Sequence, residues 1–219
     1  MFPYSVQICA LICDYKCVTK TSNFIFSQFI TGVSGVESSD PLLEQLIEGN
    51  VSTISYKYSN IALYGLRKCH VSLVNNKVLS VYTVFDYVLT CPVLTIQGEY
   101  DLNGIIDSEP LEGKGQCKII YNGYQLSFNG KRELVKDSEG KLHVHLLDYS
   151  VATDLKGQVK DIEYRNLAKN QRSCDDRVKS IEKFTRDVTI DVFMKKFMQH
   201  MMKFYQQIPV DELHFKYVQ

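Results

Sequence analysis

The 219-residue sequence has no tryptophan and no net charge, with 25 basic side chains against 25 acidic ones. Lacking a basic excess or a basic run, it has no electrostatic means of neutralising many phosphates, which excludes nucleic-acid binding of that kind. No stretch approaches the roughly 18 consecutive apolar residues of a membrane-spanning helix, so no integral membrane segment is expected. The seven cysteines are too few for a disulfide-dense scaffold, and an odd count leaves at least one thiol without an intramolecular partner. Catalytic signatures are missing too. There is no Gly-x-Ser-x-Gly elbow and no His-Glu-x-x-His, and Gly113-Lys114-Gly115 lacks the Gly-Lys-Ser/Thr of a phosphate loop. Neither an enzyme nor a cofactor is expected.

What remains is an ordinary globular composition, 45 % hydrophobic and 23 % charged, which excludes a disordered chain. Residues 1–219 are expected to form a single domain. The 14 tyrosines and 11 phenylalanines suit half-buried strand surfaces and cavity walls.

The first 13 residues carry no charged side chain. They lack the basic start and small-residue cleavage site of a signal peptide, so a mature N-terminus or the tail of a processed leader is expected. From Asp14 to Phe29 the apolar positions Val18, Ile25 and Phe29 fit helical spacing, and Gly32 and Gly35 end that helix. Strands follow. Val51 to Tyr64 places Ile54, Tyr56 and Tyr58 on one face, and Asn75-Asn76 signals a turn before a run from Val78 to Thr90. Phe85, Tyr87 and Leu89 share a face in that run. Leu94, Ile96, Gly98, Tyr100 and Leu102 form the cleanest alternation, and Ile120, Asn122, Tyr124, Leu126 and Phe128 form another. Asn129-Gly130 predicts a hairpin turn, and Leu142, Val144 and Leu146 start one more strand, with His143 and His145 turned to solvent. Turn signals this closely spaced imply an antiparallel meander.

The period then changes. Asp175 to Ile208 contains neither Gly nor Pro, and Val178, Ile181, Phe184, Val188, Val192, Phe197, Met201 and Tyr205 recur every three or four residues. A helix of that span reaches about 50 Å, and Pro209 stops it. One apolar stripe of that length needs a long partner, which a curled antiparallel sheet supplies. The expected class is α+β, with a long C-terminal helix wrapped by a highly curved antiparallel sheet and a short N-terminal helix.

The segment Leu94-Thr95-Ile96-Gln97-Gly98-Glu99-Tyr100-Asp101-Leu102-Asn103-Gly104, followed by Pro110-Leu111-Glu112-Gly113-Lys114-Gly115, resembles the central signature of the insect haemolymph juvenile hormone binding protein and takeout family. Ser39-Asp40-Pro41-Leu42, Gly65-Leu66, Asn166-Leu167 and Pro209 to Leu213 resemble further pieces in the family's order. The likeness runs over about residues 9 to 215. It implies a tubular lipid-binding fold with an apolar tunnel, and a secreted, monomeric carrier of juvenile hormone or another terpenoid or fatty molecule. It also implies a disulfide between Cys9 and Cys17, whose spacing with Cys13 leaves a metal reading open but without a second cluster to complete it. Cys69, Cys91, Cys117 and Cys174 have no settled pairing.

On this reading the sheet contributes Phe85, Tyr87, Leu94, Ile96, Tyr100, Ile120, Tyr124 and Leu126 to the ligand wall, with Tyr121, Asn122 and Tyr124 able to meet a polar head. The helices contribute Ile25, Phe29, Val188, Val192 and Phe197. The alternative is an interaction or signalling module whose large inward aromatics fill the tunnel. His143 and His145 lack a third partner for a metal, and no metal is expected. Asn50-Val51-Ser52 matches the N-glycosylation pattern.

Overall fold

The computed structural model describes residues 15–33, 35–106, 108–153, 158–167 and 174–214. Helix α1 (Tyr15–Thr31) forms where the apolar spacing predicts it. Gly32, at φ 81°, ends it with the left-handed backbone that a side chain disfavours, its N–H donating to the Phe29 carbonyl at 3.2 Å. Seven strands follow: β1 (Leu42–Val51), β2 (Ile54–Tyr64), β3 (His70–Val78), β4 (Thr83–Ile106), β5 (Glu109–Lys136), β6 (Leu142–Thr153) and β7 (Gln158–Tyr164). Helix α2 (Cys174–Gln207) and the short α3 (Val210–His214) complete the described chain.

All seven strands belong to one antiparallel sheet built around the β4–β5 hairpin. These two strands have 24 and 28 residues, a contour of about 80–90 Å at roughly 3.3 Å per residue. The free edge of β4 pairs first with β3 and then with β2. The free edge of β5 pairs with β7 and then β6. β1 lies outside β2. α2 has 34 residues, about 50 Å of helix. Its close backbone neighbours are β1 on one margin of the sheet and β6 and β7 on the other. A helix that touches opposite margins closes the seam of a curled sheet. The expected long helix wrapped by a highly curved antiparallel sheet is therefore the observed architecture.

The structure differs from the local expectations at three places. Leu42 to Val51 is a strand, although its paired leucines give no period of two; β1 is an edge strand, and Leu43 and Leu46 are exposed. Asn75-Asn76 lies inside β3, opposite Asp86 and Phe85, and the turn falls later, where the Leu79 N–H donates to the Tyr82 carbonyl at 2.9 Å. Asn129-Gly130 lies inside β5, paired on both sides. Gly130 serves a close approach there, because a Cβ on it would sit 2.2 Å from the Asp148 carbonyl oxygen. The actual β5–β6 turn is organised by Asp137, whose carboxylate accepts from the backbone N–H groups of Glu139 and Lys141.

The motifs that carry the family likeness act mostly as latches. The Asp40 carboxylate accepts the N–H groups of Gly65 at 3.0 Å and Arg67 at 2.7 Å, tying the start of β1 to the β2–β3 connection. Leu167 is buried and bridges to Gly113. A Cβ on Gly115 would lie 2.2 Å from the Arg165 carbonyl oxygen, so the chain leaving β7 can pass only over a glycine.

Candidate functional site

The inner wall of the sheet changes its register of burial once. In β4, Phe85, Leu89 and Cys91 are buried, then Leu94, Ile96, Tyr100 and Leu102, so the buried set passes from odd to even positions. In β5, Cys117, Ile119 and Tyr121 are buried, then Tyr124, Leu126 and Phe128. Both changes fall at one step, Pro92 in β4 and Gly123 in β5. Proline cannot donate to the ladder, and Gly123 takes φ 63°. This step corrects one sequence-level grouping. Ile120 does not share a face with Tyr124 and Leu126, but lies half-buried between the buried Ile119 and Tyr121.

The other wall residues fall into two groups. Phe29, Phe85, Leu94, Ile96, Tyr100, Tyr121, Tyr124, Leu126 and Phe197 are buried in one continuous apolar cluster. Ile25, Tyr87, Val188 and Val192 are half-buried and pack against it. Tyr87 stacks on Phe85 at 5.4 Å between ring centroids and donates its hydroxyl to Asn76. Phe197 meets Phe29 edge-on at 5.1 Å and Phe128 at 5.4 Å, so aromatic rings join α1, α2 and β5 at this level.

The buried face of α2 is rotated from the stripe that its apolar residues suggest. Phe184 is exposed, and Val188, Val192, Met201 and Tyr205 are half-buried. The fully buried line runs through Val178, Ile181, Thr185, Thr189, Phe193, Phe197 and Phe204, with Glu182 beside it. Glu182, Thr185 and Thr189, with Arg177 and His200 elsewhere on α2, are buried polar residues that escaped sequence reasoning because hydropathy sends them to water. A latent signal existed in Glu182 and Arg186, an i,i+4 pair of opposite charge.

Their partners explain their burial. Glu182 is 2 % exposed and accepts two bonds from Arg186, Nε at 2.5 Å and an Nη at 2.6 Å. The Tyr121 hydroxyl donates to the same carboxylate at 2.8 Å. The Arg186 guanidinium stands 5.9 Å from the Tyr121 ring centroid, and the Tyr124 ring meets Tyr121 edge-on at 5.4 Å. Burial, reinforced by Glu182, pushes the Tyr121 hydroxyl far above the usual tyrosine range. The carboxylate in turn holds Arg186 firmly protonated. One layer away, Tyr58 shares hydrogen bonds of 3.0 Å with Tyr164 and with Thr185, whose hydroxyl donates to Ile181 one turn earlier. The free thiol of Cys117 is buried, and burial raises it to about 12. The interior is thus an apolar aromatic wall into which the Glu182, Arg186 and Tyr121 cluster brings charge and a hydroxyl.

Other candidates resolve as structural features. His143 is buried rather than solvent-facing, its ring nitrogens 3.3 Å from the Tyr205 carbonyl and 3.2 Å from Asp137, because the end of α2 covers it. His145 stays exposed, 3.2 Å from Glu133. Among the described residues no group of three His, Cys, Asp or Glu side chains could hold a metal. Ser39 Oγ lies 3.1 Å from His200 Nδ1, a spacing seen in nucleophile–base pairs, yet Ser39 has no exposed surface. Burial and the neighbouring Lys196 lower the His200 imidazole. A surface cleft of about 470 Å³ at the far end of the hairpin is lined by Asp101, Asn103, Glu112 and Lys114, too polar for an apolar ligand.

Cys69 and Cys91 form a disulfide across the start of β3 and the middle of β4, beside Pro92. Cys17 is also disulfide-bonded; the expected partner Cys9 lies outside the described residues. Asn50 is exposed at the end of β1.

Comparison with known proteins agrees with this geometry. The family model described as haemolymph juvenile hormone binding protein matches residues 2–214. The circadian clock-controlled protein daywake of Drosophila melanogaster is 26 % identical over 230 residues, covering 96 % of this chain and 87 % of its own. The crystal structure of Epiphyas postvittana Takeout 1 superposes with a TM-score of 0.78 at 22 % identity, covering 91 % of this chain and 95 % of that one.

Proposed function

Because this chain belongs to the haemolymph juvenile hormone binding protein family, we propose that it is a secreted, monomeric carrier enclosing one elongated apolar ligand between α2 and the curled sheet. The observation that carries this reading is the seam closure. α2 spans opposite margins of the sheet, and the faces turned toward it are aliphatic and aromatic. An apolar molecule held there leaves water at about 25 cal/mol for each Å² buried. A ligand with one polar end would set that end near Tyr121, Glu182 and Arg186, where donors and a carboxylate are already gathered. Juvenile hormone, another terpenoid or a fatty molecule has this form, and enclosure would shield it from water and from esterases. The Cys69–Cys91 bridge supports an oxidising, extracellular compartment.

Organic extraction of the purified protein, followed by mass spectrometry, should recover a terpenoid or fatty molecule. Protein stripped of it should take up juvenile hormone, farnesol or a fatty acid saturably. Leu126→Trp, which adds bulk to the wall, should reduce that uptake while leaving the circular dichroism spectrum intact. Repeated recovery of empty protein without saturable uptake overturns the carrier reading.

A second reading has its own support. The ring of Phe197 meets both Phe29 and Phe128 in the interior, as expected if side chains fill the tunnel and the protein acts through its surface. A melting temperature that no apolar ligand raises favours it.

A further inference from the structure

Exposed aliphatic side chains gather at one end of the sheet. The end of β3 and the β3–β4 connection carry Val78, Leu79 and Val81, exposed by 58, 37 and 73 %. The β4–β5 ladder ends at Thr83 opposite Arg132, which sets this connection alongside the last residues of β5, where Leu134 and Val135 are exposed as well. Lys77, Lys131 and Lys136 project from the same two segments, and all three are exposed. Lys131 holds its ammonium 5.6 Å from the Tyr82 ring centroid, beside the tip. Residues 77–84 and 131–136 hold four cations, Lys77, Lys131, Arg132 and Lys136, against one carboxylate, Glu133. Asp148, on β6, is paired with Lys131. In the adjacent turn Glu139 pairs with Lys141, and Asp137 stands 3.2 Å from His143. Within a molecule of no net charge, these two segments are thus net cationic and carry exposed aliphatic side chains.

Exposed aliphatic side chains flanked by long-stemmed cations suit a boundary between hydrocarbon and phosphate. The aliphatic groups leave water for the acyl layer, and the ammonium groups reach the headgroups on their flexible stems. Lysines this close to an anionic leaflet each add to the attraction. We infer that the β3–β4 tip docks the protein on an anionic lipid surface, with Val81 and Leu79 in the acyl boundary and Lys77, Lys131 and Lys136 on phosphates. This inference rests on the tip alone and holds whatever the interior encloses.

Flotation of the full chain with phosphatidylcholine vesicles, with or without phosphatidylserine, tests it. Binding should be about tenfold or more tighter to the phosphatidylserine vesicles and should weaken with salt. Val81→Asp should reduce binding about tenfold at an unchanged circular dichroism spectrum. Lys77→Glu with Lys131→Glu keeps the aliphatic crown and should abolish the preference for phosphatidylserine. Equal partition to both vesicles, or Val81→Asp floating as wild type does, overturns the inference. So does a dimer on gel filtration that Val81→Asp dissolves without any vesicle binding, which would assign the tip to a protein contact.

Discussion

Pro92 and Gly123 occupy the same step of the β4–β5 ladder, between the pairs Cys91–Tyr124 and Val93–Asn122. The step lies beside the β2–β3 connection and the Cys69–Cys91 bridge, and it is where both central strands change which residues face inward. The change keeps Tyr121 and Tyr124 both buried although they are three positions apart.

Gly123 is therefore expected to resist substitution for conformational reasons. Its φ of 63° is left-handed, while a Cβ there would meet no atom within 4 Å. Gly123→Ala should cost about 1–2 kcal/mol by urea denaturation, all of it backbone strain. An effect near zero would mean that the backbone there is free to relax.

The Cys69–Cys91 bridge closes a loop with a sequence separation of 22. Replacing both cysteines by alanine should lower stability by about 2–4 kcal/mol. In the native protein Cys117 should stay unalkylated at neutral pH, since it is buried and its thiol is raised to about 12. Peptide mapping after iodoacetamide treatment, with and without denaturant, checks both the bridge and the buried thiol.

Removing one member of the Glu182–Arg186 pair should be far worse than removing both. Arg186→Met leaves the buried carboxylate without its cation and should cost about 3–5 kcal/mol. Glu182→Met combined with Arg186→Met should recover much of that loss. Tyr121→Phe removes one donor to the carboxylate and should cost about 1–3 kcal/mol. A double variant as unstable as the single one would show that the pair does more than neutralise itself.

The buried tyrosines set an alkaline limit. Burial raises Tyr58, Tyr121 and Tyr164 well above the ordinary value and Tyr205 to about 12. Unfolded tyrosines ionise near pH 10, so above that pH the folded chain retains more protons than the unfolded one. Stability is then complete below about pH 10 and falls as pH rises toward and past about 12. Urea midpoints should fall across this range while the tyrosinate absorbance rises; a midpoint constant to about pH 12 contradicts it.

Much of this was legible in the residues. A gap-free stretch without glycine or proline announced α2, alternating apolar positions announced the meander, and the Gly-x-Gly signature pointed to the family. The signature's glycines mark close approaches between backbones, and such approaches leave a local trace because only one residue type tolerates them. Other features left misleading traces. Asn75-Asn76 and Asn129-Gly130 have turn chemistry but sit mid-strand, because cross-strand hydrogen bonds on the long hairpin outweigh local turn preference.

The sequence by itself determined the length of the helix, the strand-rich middle and the apolar character of both, since these follow from short-range periodicity and solvent transfer. Tertiary structure decided the inward rotation of Glu182, Thr185 and Thr189, the burial of His143, the pairing of Cys69 with Cys91 and the parity change at Pro92 and Gly123. Each depends on a partner distant in the chain. A carboxylate enters a core only when a guanidinium and a phenol already wait there, and no local pattern records that meeting.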